Sequence, residues 1–324
     1  MPPRADLDKH LGRRLKLREI EAFTAVAARG SMARAAVDLG ITQPAVSEMM
    51  ANLERALGVR LLDRNPRGVT PTIYGDVLMR GGRAAIDELR QCIKQMQALA
   101  DPGAGEVKVG CPETIATLLP PVIQQISRTH PRVLVHVFDL VAPTLDLPQL
   151  RDRSLDLALV RYDGSTRHPL AQDLELDVLF HDELVVVAGE KSRWVRDPHI
   201  DIPKLSEARW LLPPLTTSNS RTVFEAFRER GLPAPQITTA TFSLHLRTSM
   251  LADGACVTVL PRTVVQHDGA RLGIRALPIK LPKHEFPLAV VTLKRRMTNP
   301  IAQLFVRQAS AALRAFVRKR PLRR

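Results

Sequence analysis

The sequence predicts two kinds of structure in series: an all-α helix-turn-helix head on a long helix, then an α/β region filling the rest of the 324-residue chain. Three observations predict this. Residues 30–62 read as two short amphipathic helices joined by a tight turn. Residues 72–99 lack proline and repeat apolar or small residues at alternating spacings of four and three. From Glu106 onward, strand-like runs alternate with helical periods, a βαβ rhythm that implies a mainly parallel sheet with helices on both faces. A chain of this length exceeds one typical core.

Leu17, Ile20, Phe23 and Val26 mark a first helix. Ser31 caps the second, in which Met32, Ala35, Ala36 and Leu39 share one face. Gly40 supplies the positive-φ turn, and Thr42 caps the third helix. Pro44 sits in its first turn, where a missing N–H costs nothing. Val46, Met49, Met50, Leu53 and Leu57 face inward, so Gln43 and Ser47 project together from the helix start, with Asn52 further along. A helix that offers small and amide side chains at its N-terminal end suits the major groove of DNA. In the long helix, Leu78, Gly82, Ala85, Leu89, Cys92, Met96 and Leu99 form the seam. Leu78, Ala85, Leu89 and Met96 are its expected dimer contacts, because a helix-turn-helix commonly reads two half-sites.

Asp101–Gly105 breaks that helix. Strands are expected at Val107–Cys111, Val133–Asp139, Asp156–Val160, Leu184–Ala188, Trp210–Leu212, Gln236–Thr241, Cys256–Leu260 and Pro287–Leu293. Helices are expected at Thr114–His130, Leu145–Asp152, Arg221–Arg230, Ser243–Ala252 and Pro300–Lys319. Two sets of strands follow one another, and the last strand and helix return to the first set.

The head resembles the N-terminal domain of LysR-type transcriptional regulators. The residues in register are Gly30-Ser31, Ala35-Ala36, Leu39, Gln43-Pro44-Ala45-Val46-Ser47, Leu53-Glu54 and Leu57-Gly58. They continue through Leu61, Arg64, Arg67-Gly68-Val69-Thr70, Thr72 and Gly75. Departures fall at Leu62, Pro71, Tyr74 and Glu48. The resemblance implies a fold: an N-terminal all-α winged helix-turn-helix with a long linker helix, followed by an α/β two-lobed periplasmic-binding-protein-like effector domain. Expected bounds are 1–75 for the winged head, 76–105 for the linker (dimerisation) helix and hinge, and 106–324 for the effector domain with a basic C-terminal tail. The implied partners are double-stranded DNA with dyad symmetry, a small-molecule effector and a second copy of the chain, as homodimer or homotetramer. RNA polymerase is a further candidate.

The candidate DNA-binding set is Ser31, Arg34, Thr42, Gln43, Pro44, Ser47, Asn52, Arg64 and Arg67. Gln43 can bridge adenine N6 and N7, and Pro44 can touch a thymine methyl. Arg34, Arg64 and Arg67 suit backbone phosphates. The candidate effector set comes from three inferred junctions rich in hydroxyls, holding Pro112, Glu113 and Thr114, then Ser218 and Ser220, then Thr241 and Ser243, together with Arg161 after the third strand. Strand ends and helix starts of a two-lobed α/β fold line a crevice that favours an anion. A lone Ser or Thr there is also an ordinary N-cap; the recurrence at three junctions points to a cleft, and to an organic anion as effector. Glu113 either caps a helix or selects a ligand with a donor group.

Charge follows the same division. Residues 1–101 carry 16 Lys/Arg against 12 Asp/Glu, residues 102–293 carry 21 of each, and residues 294–324 carry ten basic residues and no acidic one. The basic tail is either a solvated end or an added phosphate contact. Three cysteines without CxxC spacing imply no disulfide framework and no metal or cofactor site, although Cys111 and Cys256 leave a redox-sensing regulator as an alternative. An enzyme on an α/β fold is a second alternative, but no phosphate loop, HExxH or GxSxG pattern supports it. No 18-residue apolar run and no apolar leader occur, which predicts a cytoplasmic protein with no membrane partner.

Overall fold

The computed structural model describes residues 15–65, 68–101, 103–140, 146–162, 172–282, 285–294 and 299–319. The chain forms two compact units, residues 1–94 and 95–324.

In the first unit, α1 (Leu17–Arg29), α2 (Met32–Leu39) and α3 (Gln43–Leu57) close around Phe23, Val26, Ala35, Val46, Met50 and Leu53, all buried. The caps act as their chemistry requires. Ser31 Oγ accepts from the Arg34 amide and Thr42 Oγ1 from the Ala45 amide, each at 3.4 Å. Gly40 ends α2 at φ +65°, a conformation that disfavours any residue with a Cβ. A two-stranded wing follows, β1 (Leu62–Asn65) antiparallel to β2 (Gly68–Pro71). Glu54 and Gly30 dock it: Glu54 Oε1 accepts from the Leu61 amide at 2.7 Å and the Leu62 amide at 3.2 Å, and the Val69 amide donates to Gly30 O at 3.0 Å.

The long helix α4 (Ile73–Ala100) starts under the Thr72 hydroxyl, which accepts from the Gly75 amide at 3.1 Å. A Cβ on Gly75 would lie 2.2 Å from Leu61 O, so this residue lets the helix begin against the wing. The expected seam is corrected in its first half. Leu78 is partly buried and packs against the head's own core, and a Cβ on Gly82 would strike Ile20, so these two positions turn toward the head. Ala85, Leu89, Cys92, Ile93 and Met96 are exposed instead.

The second unit is built on strands β3 (Ala104–Cys111), β4 (Arg132–Asp139), β5 (Leu157–Arg161), β6 (Leu174–Gly189), β7 (Arg209–Leu212), β8 (Gln236–Ala240), β9 (Cys256–Pro261), β10 (Ile274–Ala276) and β11 (Glu285–Leu293). Their order is β4-β3-β5-β11-β6-β9-β7-β8, with β10 also on β6. Strand β6 belongs to both lobes: Leu174–Glu183 pairs with β11, and Leu184–Ala188 pairs with β9. Strands β3, β4 and β5 run parallel in one lobe and β7, β8 and β9 in the other, while β6, β10 and β11 add antiparallel pairs. The sheets are therefore mixed, not mainly parallel.

Helices α6 (Pro120–Thr129) and α11 (Pro300–Lys319) cover one face of lobe 1, bringing Ile126 and Phe305 into one core with Val107 and Leu157 of the sheet. Opposite, α7 (Pro148–Arg151) closes a small core with Leu150, Val160 and Val291. In lobe 2, α8 (Ser218–Arg228) sets Phe227 edge-on to Trp210, with ring centroids 5.7 Å apart. Its other face carries α9 (Leu244–Leu251) and α10 (Arg262–Leu272). The expected helix Thr114–His130 is two helices, α5 (Glu113–Ala116) and α6, because Pro120 and Pro121 supply no N–H to continue the ladder. No described helix is long and apolar enough to cross a membrane.

Candidate functional site

The head presents the start of α3. Burial of Val46, Met50 and Leu53 fixes the helix phase, which leaves Thr42, Gln43 and Pro44 exposed and Ser47 partly exposed beside them. Asn52 is partly buried and its Oδ1 accepts from Arg55 at 2.8 Å, so it is engaged within the helix. Ser31 is occupied as a cap. Arg34 is exposed and lines a surface concavity with Arg29, Asn65 and Thr70, between the α1–α2 turn and the wing. Arg29 is tied to Asp38 at 2.6 Å, so its charge is locally balanced. Arg64 is exposed on β1. Arg67 lies outside the described residues.

A cavity of about 410 Å³ lies between the two lobes of the second unit. Six of the eight expected residues line it: Pro112, Glu113, Thr114, Arg161, Ser218 and Ser243. Two do not. Ser220 is fully buried and donates to Pro213 O at 2.7 Å, and Thr241 Oγ1 accepts from the Ser243 amide at 3.1 Å. Both hydroxyls shape the loops behind the wall.

Arg161 has a different role from the one its position suggests. Its Nη2 lies 3.1 Å from Asp182, and its Nη1 donates to Thr114 Oγ1 at 3.0 Å. Burial pulls this guanidinium down from its ordinary value and Asp182 opposes that fall. Asp182 also accepts from the Thr263 hydroxyl at 2.6 Å, at the start of α10 in lobe 2. Arg161 is thus the neutralised half of a buried pair at the lobe junction, not a free charge for a ligand.

Two further arginines that the sequence did not mark line the cavity, Arg221 at the start of α8 and Arg247, and of these Arg247 is the buried one. It is 3% exposed, lines the cavity, and donates through Nη1 to Val259 O at 3.1 Å. Burial lowers its guanidinium to about 10, so it stays charged at neutral pH, and the field of Glu113 opposes the fall. Its place in α9 is read from sequence as a helical position, and nothing in its spacing marks it as facing a cavity. Glu113 reaches across from α5, with Oε2 accepting from the Leu244 amide at 2.6 Å and Oε1 from the His245 amide at 3.3 Å. It therefore caps a helix, but one in the opposite lobe.

Cys111 and Cys256 are buried free thiols. Burial pushes the Cys111 thiol up to about 12, helped by Asp139 and opposed by Arg161; burial raises Cys256 as well. Neither is a thiolate poised for oxidation. Among the described residues, no group of three or more His, Cys, Asp or Glu side chains is placed to hold a metal ion.

Comparison with known proteins agrees with this division. Residues 17–76 match the bacterial regulatory helix-turn-helix protein, lysR family, and residues 100–314 match the LysR substrate binding domain. The HTH-type transcriptional regulator GbpR of Azospirillum brasilense is 29% identical over 320 residues, covering 97% of this chain and 90% of its own. TdcA of Escherichia coli, also an HTH-type transcriptional regulator, is 27% identical over 247 residues, 76% of this chain and 77% of its own. Full-length CbnR, crystallised with its target DNA, superposes with a TM-score of 0.60 at 20% identity, covering 92% of this chain and 100% of that one. A full-length OxyR variant from Pseudomonas aeruginosa gives 0.62 at 23% identity, with 93% and 95% covered. Those two likenesses show the fold. The two family matches together span both units, and this chain belongs to the LysR family of DNA-binding transcriptional regulators.

Proposed function

We propose that this regulator reads an operator of dyad symmetry as a homodimer or homotetramer, and that a small organic anion in the interlobe cavity resets its DNA-bound state. The cavity is the observation that carries the reading: about 410 Å³ at strand ends and helix starts, with hydroxyls from both lobes. Gln43 and Ser47 read bases, Pro44 supplies apolar contact, and Arg34, Arg64 and Arg67 hold phosphates. The division of labour is residues 1–75 for reading, 76–105 for pairing and 106–324 for sensing.

Two features support an anion. Arg247 is a buried cation on the cavity wall, and the first amides of α9 point to an oxyanion. Pairing is supported by the exposed run of Ala85, Leu89 and Met96 on α4. The edge strand β4 exposes Leu134 and Phe138 on its outer face, a second apolar surface that supports a tetramer. Effector binding acts by favouring one lobe arrangement, so its affinity must differ between the two DNA-bound states.

A thermal-shift screen of carboxylates, sugar phosphates and neutral metabolites against the full chain tests the sensing half. A carboxylate should raise the midpoint in a concentration-dependent way and change the footprint on operator DNA. A hit confined to uncharged compounds would overturn the anion, and a hit that leaves the footprint unchanged would overturn the coupling.

A further inference from the structure

Glu113 stands in lobe 1, yet both of its carboxylate oxygens are held in lobe 2, on the amides of Leu244 and His245. These are the first two residues of α9, whose opening N–H groups have no acceptor within the helix. Ser243 Oγ takes the Leu246 amide at 3.2 Å, so side chains cover three of the opening amides. Behind this end stands Arg247, nine-tenths buried and on the cavity wall, with its Nε lacking any hydrogen-bond acceptor among the described residues. Glu113 is the acidic group whose field offsets the burial of Arg247. Paired helix-start amides backed by a buried guanidinium make an oxyanion site. Here the oxyanion is part of the chain.

We propose that Glu113 is a built-in ligand: its carboxylate fills the anion site at the start of α9 and ties the two lobes together, and a carboxylate effector acts by displacing it. This rests on the cavity being the effector site. The exchange swaps one negative charge for another, so Arg247 remains compensated throughout. A neutral ligand that expelled Glu113 would leave a buried cation unpaired, which is strongly unfavourable. The site is therefore selective for oxyanions even though it already holds a carboxylate. A tethered competitor also sets a threshold, because apparent affinity falls with the fraction of molecules in which the site is free. A small carboxylate alone displaces Glu113 poorly; an effector must add contacts elsewhere on the wall, at Thr114 or Ser218. Displacement releases the one side chain that bridges the lobes through these amides, and the charge event becomes a change in lobe freedom.

The test uses the full chain, malonate as the carboxylate probe and malonamide as its uncharged counterpart. Amide hydrogen exchange at Leu244 and His245 is followed by mass spectrometry or NMR. In the wild type these amides should be protected without added ligand. In Glu113→Ala they should exchange at least about tenfold faster, and malonate but not malonamide should restore protection, binding at least about tenfold tighter than to wild type. Glu113→Gln keeps the shape without the charge and should fall between the two, which keeps the test decisive if the alanine variant folds poorly. Unchanged protection in both variants, or malonate binding no tighter than in wild type, would overturn the proposal. An effector from the metabolite screen that binds wild type and leaves Leu244 and His245 protected would overturn displacement while leaving the cavity as the sensing site. Failure of every screened compound to bind, with the exchange pattern as expected, would keep the latch and overturn the effector reading.

Discussion

At the scale of single residues, each role follows from whether a side chain is already spent. Among the described residues the side chains of Gln43 and Ser47 make no hydrogen bond, and the buried phase of α3 aims them outward. Gln43→Ala should lower affinity for operator DNA by about 1–3 kcal/mol and leave random-sequence binding nearly intact. Arg34→Ala should weaken both alike and reduce the salt slope by about one. Competition binding at two salt concentrations separates them, and equal losses for Gln43→Ala would remove its base contact. The thiols give a second prediction. A maleimide should reach buried Cys111 and Cys256 only after denaturation, whereas Cys92, exposed in the single chain but on the proposed pairing run of α4, should be labelled more readily in Leu89→Glu than in wild type. Because folding holds the Cys111 thiol near 12 against an ordinary value near 9, the unfolded chain loses that proton first. Its stabilisation is whole below pH 9 and declines as pH rises toward 12. Cys111→Ala should flatten that alkaline decline in thermal melts. The charges were the least legible part of the cleft. Arg161 was visible after a strand, but its partner Asp182 is 21 residues on in a strand whose pairing only the fold defines. Arg247, in mid-helix, carries no local signal at all.

At the scale of elements, the head was legible almost throughout because its devices are local. A cap, a positive-φ glycine and a 3.6-residue period each act within a few residues, and Ser31, Gly40 and Thr42 do what their chemistry dictates. The long helix shows where that logic stops. Leu78, Ala85, Leu89 and Met96 share a period, but the head covers only the first of them. Leu89→Glu should therefore weaken dimer formation without lowering stability of the head, since Leu89 is 49% exposed. Leu78→Glu should do the reverse and destabilise the head by roughly 1–3 kcal/mol through a charge placed against its core. Sedimentation and urea unfolding of the two full-length variants check the contrast; a dimeric Leu89→Glu would put the interface elsewhere. The first half of β6 was within reach of sequence reasoning, since Leu174, Leu176 and Val178 alternate with Glu175 and Asp177. The split of α5 from α6 was equally visible in Pro120-Pro121.

At the scale of the whole molecule, the two α/β lobes are joined through a strand and through buried charge. Asp182 sits on β6 beside the point where that strand passes from one sheet to the other, and holds Arg161 of lobe 1 and Thr263 of lobe 2. Asp182→Asn should cost about 3–5 kcal/mol in urea unfolding, because it strands a buried guanidinium. The pair Arg161→Met with Asp182→Leu should recover most of that loss. No recovery would mean that the junction depends on the bonds to Thr114 and Thr263 more than on the ion pair. The crossover also sets an order of assembly. Lobe 2 is drawn almost wholly from one continuous stretch, whereas lobe 1 waits for β11, which enters between β5 and β6, and for α11, which packs over β3. On a ribosome adding about 5–20 residues per second, β5 and β6 precede β11 by roughly ten seconds. Through that interval β5 and the first half of β6 both lack the strand that joins them in the finished sheet, and such open edges invite aggregation or a chaperone. A chain stopped after residue 282 should leave lobe 2 resistant to protease and lobe 1 open to it. Regulators of this build are thus exposed to misfolding late in synthesis, at a point set by how far the last strand lies along the message.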